Sequence, residues 1–226
     1  MDQGSIPKKI AFFDVDHTLT RKATGAWFLR EMVFQGMMGR RALLSIPFYM
    51  FLYRFGPANH TSQKHVPHNF PALRGIPQQV LTELGETTHE KFIRNDMYPP
   101  VPELISEFRA LGYEPYLATS SFDFLVLPLA RELGVDGVIA SQLEIVNGET
   151  TGRVLGPASF GSGKRDQCRE RVDDLHTSLD QCAFFSDSIH DLPLLREVGR
   201  PVAVNPDFRL LRQAKKYSWE IRDFRQ

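Results

Sequence analysis

Five short apolar runs, each closed by polar residues and most of them followed by an amphipathic stretch, leave this chain few ways to fold. They are KKIAFFD (8–14), YEPYLATS (113–120), DGVIAS (136–141), QCAFFSD (181–187) and RPVAVN (200–205). A buried parallel strand is apolar along its whole length because both of its faces are covered. The intervening VPELISEFRALG, FLVLPLARELG and KRDQCRERVDDL carry apolar residues three and four apart, the helical spacing. Strands alternating with helices build a parallel sheet flanked on both sides. The expected fold is therefore α/β, a Rossmann-like parallel sheet, whose ligands bind outside the carboxyl ends of the strands.

Two segments interrupt the alternation. Residues 20–97 contain no convincing strand; ATGAWFLREMVFQGMMG and QQVLTELGETTHEKFIRN read as helices, Pro47 breaks an apolar stretch, and HVPHNFPALRGIP is loop-like. The reading is a core of residues 1–19 and 98–226 carrying a helical cap at 20–97. The second interruption, QLEIVNGETTGRV, alternates around Asn147-Gly148, a strong hairpin signal, and predicts a small β-hairpin flap.

Composition removes several classes of function. Lys plus Arg and Asp plus Glu are 27 each among 226 residues, so no bulk field draws the chain to nucleic acid or to an acidic membrane. The uncharged run Ala42–Tyr53 is about a dozen residues, against the roughly twenty a membrane-spanning helix needs, so no stable membrane insertion is expected. Cys168 and Cys182 fit neither a metal nor a redox spacing and are expected reduced. The first residues offer too short an apolar stretch for a secretory signal, which makes a cytoplasmic location the expectation.

Packing explains Ile10 to Phe13 but not Asp14 and Asp16, which follow them. Asp-x-Asp alone is common, and an Asx turn closing the strand explains it equally well. Position weighs against that. Asp14 and Asp16 end the first strand, Thr119, Ser120 and Ser121 the second, and Ser186, Asp187, Ser188 and Asp191 a later one. Carboxylates sharing one rim repel by around 4 kcal/mol at about 4 Å and an effective dielectric near 20, so the cluster needs a cation. Oxygen ligands without converging His or Cys favour Mg2+ over zinc. Mg2+ beside a carboxylate nucleophile is an arrangement for phosphoryl transfer.

DVDHT, Thr119 in YLATSSF, Lys164 in GSGKRDQ, and FFSDSIHD, in that order, resemble the four motifs of the haloacid dehalogenase superfamily. The stretch from SDSIHD to KKYSWEI and the flap NGETTGRVLG resemble its phosphoserine-phosphatase-like branch. The resemblance implies a Mg2+-dependent phosphatase acting on a small-molecule phosphate monoester through an aspartyl-phosphate. It implies Asp14 as nucleophile, Asp16 as acid and base, and Thr119 and Lys164 on the phosphoryl oxygens. It further implies a metal held by Asp14, the backbone carbonyl of Asp16, and Asp187, with Asp191 orienting a water. A phosphotransferase and a non-catalytic phosphate-binding module remain alternatives.

In phosphoserine phosphatases an acid shortly after the motif threonine holds the substrate amine; here Arg21, Lys22 and Ala23 stand in that stretch. Arg21 and Lys22 would instead favour a second anionic group. Trp27, Phe28, Met32, Phe48, Met50 and Phe51 would suit an amphipathic ester or, equally, a cap packed on itself. His17 faces either the substrate or solvent, and His190 reads as structural. His60, His65 and His68 lack the spacing and frame of a zinc site.

Overall fold

The computed structural model describes residues 8–39, 69–156, 159 and 161–225. Pro47, Phe48, Met50, Phe51 and the histidines at 60, 65 and 68 lie outside the described residues, as does the run Ala42–Tyr53. Strands β1 (Lys9–Phe13), β2 (Tyr113–Phe122), β3 (Gly137–Val146), β4 (Glu149–Leu155), β5 (Ala183–Ser186), β6 (Arg200–Val204) and β7 (Glu220–Arg222) form one sheet in the order β4-β3-β2-β1-β5-β6-β7. Every pairing is parallel except β3 with β4. The helices are α1 (Thr24–Phe34), α2 (Gln78–Thr88), α3 (Val101–Ala110), α4 (Asp123–Leu133), α5 (Ser162–Asp174), α6 (Leu192–Leu195) and α7 (Phe208–Lys216).

Strand β1 is central, and its period of two places alternate residues in two separate cores. Ala11 and Phe13 join Phe185, Val202 and Leu104 on one side; Ile10 and Phe12 join Phe184, Ala203 and Cys168 on the other. Phe13 stacks on Phe185 at 4.4 Å and meets the edge of Phe108 at 6.2 Å. A strand sealed on both faces in this way holds the residue after Phe13 in a fixed place at the sheet's carboxyl rim.

The predicted helix at 78–95 is present, but α2 runs into a π-turn at His89–Ile93 before a last turn at Arg94–Asp96. Gly85 lies where α2 crosses the start of α4; a Cβ there would sit 1.9 Å from the Phe124 carbonyl oxygen, so only glycine permits the approach. The chain leaves the core and returns to it side by side: Arg21 N–H donates to Asp96 O at 2.9 Å and Tyr98 N–H to Leu19 O at 2.9 Å.

The predicted hairpin is β3–β4, turning at Asn147 and Gly148 with φ of 52° and 83°, both left-handed as a tight hairpin turn of this kind demands. It is not a free flap. Phe70 N–H donates to Gly152 O, Gly75 N–H to Thr150 O, Thr150 N–H to Ile76 O and Gln78 N–H to Gly148 O, all at 2.6–3.0 Å. These bonds stitch the hairpin to the chain that leads into α2.

Candidate active site

Asp14 follows β1, its N–H donating to Phe185 O on β5 at 2.9 Å. The turn after it wraps on Val15, whose carbonyl accepts from the N–H groups of Thr18, Leu19 and Thr20. That wrap aims the Thr18 hydroxyl at Asp14 Oδ2, to which it donates at 3.1 Å, while its oxygen accepts from Asp187 N–H at 3.0 Å. Thr18 is fully buried and joins the loop after β1 to the loop after β5.

Lys164, in the first turn of α5, reaches into the same space. Its Nζ donates to Asp14 Oδ1 at 2.7 Å and to Asp191 Oδ2 at 2.8 Å. Ser186 Oγ also donates to Asp191 Oδ2, at 2.7 Å. Asp14, Lys164, Asp187 and Asp191 are 6 %, 2 %, 3 % and 3 % exposed, so three carboxylates and one ammonium are withdrawn from water together. Buried charge on this scale persists only when paired. Burial raises the Asp14 carboxyl to about 7; Lys164 opposes the rise, while Asp191 and Asp16 add to it.

Asp16 faces elsewhere. Its Oδ1 accepts from the N–H and hydroxyl of Thr24 at 2.8 and 2.9 Å, and its Oδ2 from Ser121 Oγ at 3.1 Å. The carboxylate therefore points at the amino end of α1. Thr119 is fully buried within β2, which runs three residues beyond it, and its Oγ1 accepts from Ser121 N–H at 3.1 Å. Strand β2 does not stop at Thr119 as its apolar run predicts, because a bulge between Ala118 and Phe122 carries the polar residues on past the rim.

Of the sequence-predicted residues, the structure thus joins Asp14, Lys164 and Asp191 directly, brings Asp187 in through Thr18, and turns the Asp16 side chain toward the amino end of α1. Among the described residues no three His, Cys, Asp or Glu side chains form a ready-made cation cage. The donors present nonetheless suit Mg2+, which prefers one or two carboxylates with waters to a closed protein cage. Asp14 and Asp187 could supply carboxylates and Asp16 its carbonyl, and three buried acids beside one lysine leave negative charge for a cation to balance.

Several basic and histidine side chains are otherwise engaged. Arg21 donates to Met97 O at 3.0 Å and lies over the Tyr98 ring at 5.1 Å, and Lys22 Nζ lies 4.5 Å from the centre of the Trp27 ring. His17 sits in the turn at φ 64°, its Nδ1 3.0 Å from Arg21 O, and His190 is buried in the short 3-10 turn before α6. Asp207 was not singled out in the sequence. It caps α7 by accepting from Leu210 N–H and also holds the loop after β5 by accepting from Ile189 N–H. An aspartate immediately before an amphipathic helical stretch is its signal.

The family model described as haloacid dehalogenase-like hydrolase matches residues 11–196, a span that contains Asp14, Asp16, Lys164, Asp187 and Asp191. The chain belongs to the haloacid dehalogenase-like hydrolase family. This hydrolase is 34 % identical over 227 residues to the "Inhibition of morphological differentiation protein" of Streptomyces azureus, covering 99 % of this chain and 81 % of that protein. It is 31 % identical over 217 residues to "Phosphoserine phosphatase SerB1" of Mycobacterium tuberculosis, covering 95 % and 70 %. A crystal structure of a protein with unknown function from Bordetella pertussis Tohama I superimposes with a TM-score of 0.83 at 26 % identity, covering 97 % of this chain and all of that one. Among the described residues of this hydrolase no helix is long and apolar enough to cross a membrane.

Proposed function

We propose that this hydrolase is a Mg2+-dependent phosphatase that releases inorganic phosphate from a small-molecule phosphate monoester through an aspartyl-phosphate on Asp14. The observation that carries the reading is the buried Lys164 ammonium held by Asp14 at 2.7 Å and Asp191 at 2.8 Å, at the carboxyl rim of a parallel sheet. An acid that gained only stability there would be better replaced by an apolar side chain. The relatives named as phosphatases support the same chemistry.

In this reading the Asp14 carboxylate attacks phosphorus, and the bond from phosphorus to the ester oxygen breaks as the Asp16 carboxyl passes its proton to that oxygen. Asp16 then takes a proton from the water that attacks the phosphoryl group, the bond to Asp14 breaks, and inorganic phosphate leaves. Lys164 and Thr119 bind the phosphoryl oxygens, where fixed donors help most as charge moves. Asp14, the Asp16 carbonyl and Asp187 would hold Mg2+, and Asp191, tied to Lys164 and Ser186, would fix the lysine and orient a water. When bound, the ion offsets the charge of the phosphoryl oxygens that face Asp14.

Residues 20–97 serve as the cap over this site. The substrate amine holder of phosphoserine phosphatases has no counterpart at Arg21, Lys22 or Ala23, which counts against phosphoserine as the ester. An amphipathic ester draws little support from the described cap, since Phe28 and Met32 are buried in the core and Trp27 stacks on Phe92 at 4.9 Å. Cys168 and Cys182, both buried free thiols, go with a reducing, cytoplasmic setting. The test is Mg2+-dependent release of phosphate across a panel of monoesters, with Asp14→Asn beside the wild type. The same panel with added alcohols separates hydrolysis from transfer, since a transferase would yield a new ester. Full activity in Asp14→Asn, or none in the wild type with Mg2+, would reject the reading.

A further inference from the structure

The two oxygens of Asp16 are held unequally. Oδ1 takes two donors from one residue, the N–H and hydroxyl of Thr24 at 2.8 and 2.9 Å, whereas Oδ2 takes the Ser121 hydroxyl, at a longer 3.1 Å. Thr24 is fully buried, is the first residue of α1, and follows Ala23, which offers no side-chain cap to the helix. The amino end of the cap helix therefore finds its anion in the core, where an acid is favoured. The two hydroxyls lie 2.5 Å apart, so each has the other as a second partner; what differs is that Oδ1 is also held by the Thr24 backbone N–H, which cannot turn away, whereas Oδ2 has a rotatable hydroxyl. When Oδ2 is engaged by the ester oxygen, the Ser121 hydroxyl can turn to Thr24 Oγ1 and is not left unpaired, so releasing Oδ2 costs little.

We infer that Thr24 and Ser121 are positioning residues for Asp16, Thr24 anchoring Oδ1 while Ser121 yields Oδ2 to the ester oxygen that leaves. The inference rests on the phosphatase reading above and adds that the cap helix itself sets the aim of the acid. In the first step the proton moves from Oδ2 to the ester oxygen as its bond to phosphorus breaks, and in the second a water proton returns to Oδ2. Loss of the anchor matters most where the departing oxygen is basic and must be protonated.

The test compares kcat and KM for a nitrophenyl phosphate, whose leaving group departs unaided, with those for an alkyl phosphate, whose leaving group does not. Thr24→Val, which keeps the shape and the backbone N–H, should lower kcat on the alkyl ester roughly tenfold more than on the nitrophenyl ester, within the span general acids supply. KM should move less than about threefold, because the phosphoryl contacts are untouched. Thr24→Ser should restore the ratio of the two esters, and Ser121→Ala should disturb it less than Thr24→Val does. Equal losses on both esters, or a change in KM alone, would overturn the assignment and leave Thr24 a structural residue. If Thr24→Val melts early, Thr24→Ala is read in the same way. A wild type that releases phosphate from neither ester with Mg2+ overturns this inference together with the phosphatase reading, and is told apart by appearing without any substitution.

Discussion

Replacing Asp14 with asparagine should strengthen the metal-free fold while ending turnover. Asp14 is nearly sealed from water, and burial is what raises its carboxyl to about 7, against 3.8 for an ordinary aspartate; Lys164 restrains the rise, and Asp191 and Asp16 enlarge it. Between those two values the native state holds a proton that the unfolded chain has lost. Unfolding then releases a proton, and stability falls by about 1.4 kcal/mol for each pH unit gained. The contribution of this carboxyl is complete below about pH 4 and is lost as pH rises through 7. A gap of about three pH units makes the loss about 4 kcal/mol at most in the metal-free protein. Asparagine cannot ionise, so Asp14→Asn lacks that slope. Urea unfolding of both proteins with chelator, from about pH 4.5 to about pH 8, should show the variant gaining steadily on the wild type up to pH 7 and then running level. Phosphate release by the variant should be absent throughout. Stability curves that stay parallel across the window would show that Asp14 ionises normally, and the argument from burial would be wrong.

Lys164→Met should strand the buried acids Asp14 and Asp191 without their cation, costing about 3–5 kcal/mol in thermal or urea unfolding of the metal-free protein. Added Mg2+ should recover part of it, and unchanged stability would deny the pairing. Thr18→Val should remove the hydroxyl that joins Asp14 to the Asp187 amide, at a cost of about 1–3 kcal/mol by urea titration. Its kcat should fall roughly tenfold through misplacement of the rim. Gly85→Ala should push α2 off the Phe124 carbonyl and destabilise the protein by at least about 1–3 kcal/mol by calorimetry. A neutral result there would mean that the two helices can separate freely.

The strands that form the floor of the site were legible because they are sealed on both faces, and a sealed strand such as Ile10–Phe13 must be written in apolar residues. Strand β7 was not, since Glu220, Ile221 and Arg222 form a three-residue edge whose apolar member faces out. The π-turn at His89–Ile93 left no sign because it shifts backbone bonds without asking for a residue type. Among the site residues, acids at strand ends stood out as costly features in search of a reason. The orientation of Asp16 did not, for it is set by the amino end of α1, a partner eight residues away in sequence and defined only once that helix has docked. Arg21 and Lys22 read as binding groups by charge, yet peptide carbonyls and aromatic rings next to the crossing chains take them first.

The four backbone bonds between the β3–β4 turn and the stretch from Phe70 to Gln78 tie together two inserts that lie about seventy residues apart in sequence. A change made in either piece is then felt by the other. Grafting the helices of a relative onto this sheet, or trimming the hairpin alone, would tear a ladder down its middle, so a chimera built to change selectivity must exchange the two pieces as a pair.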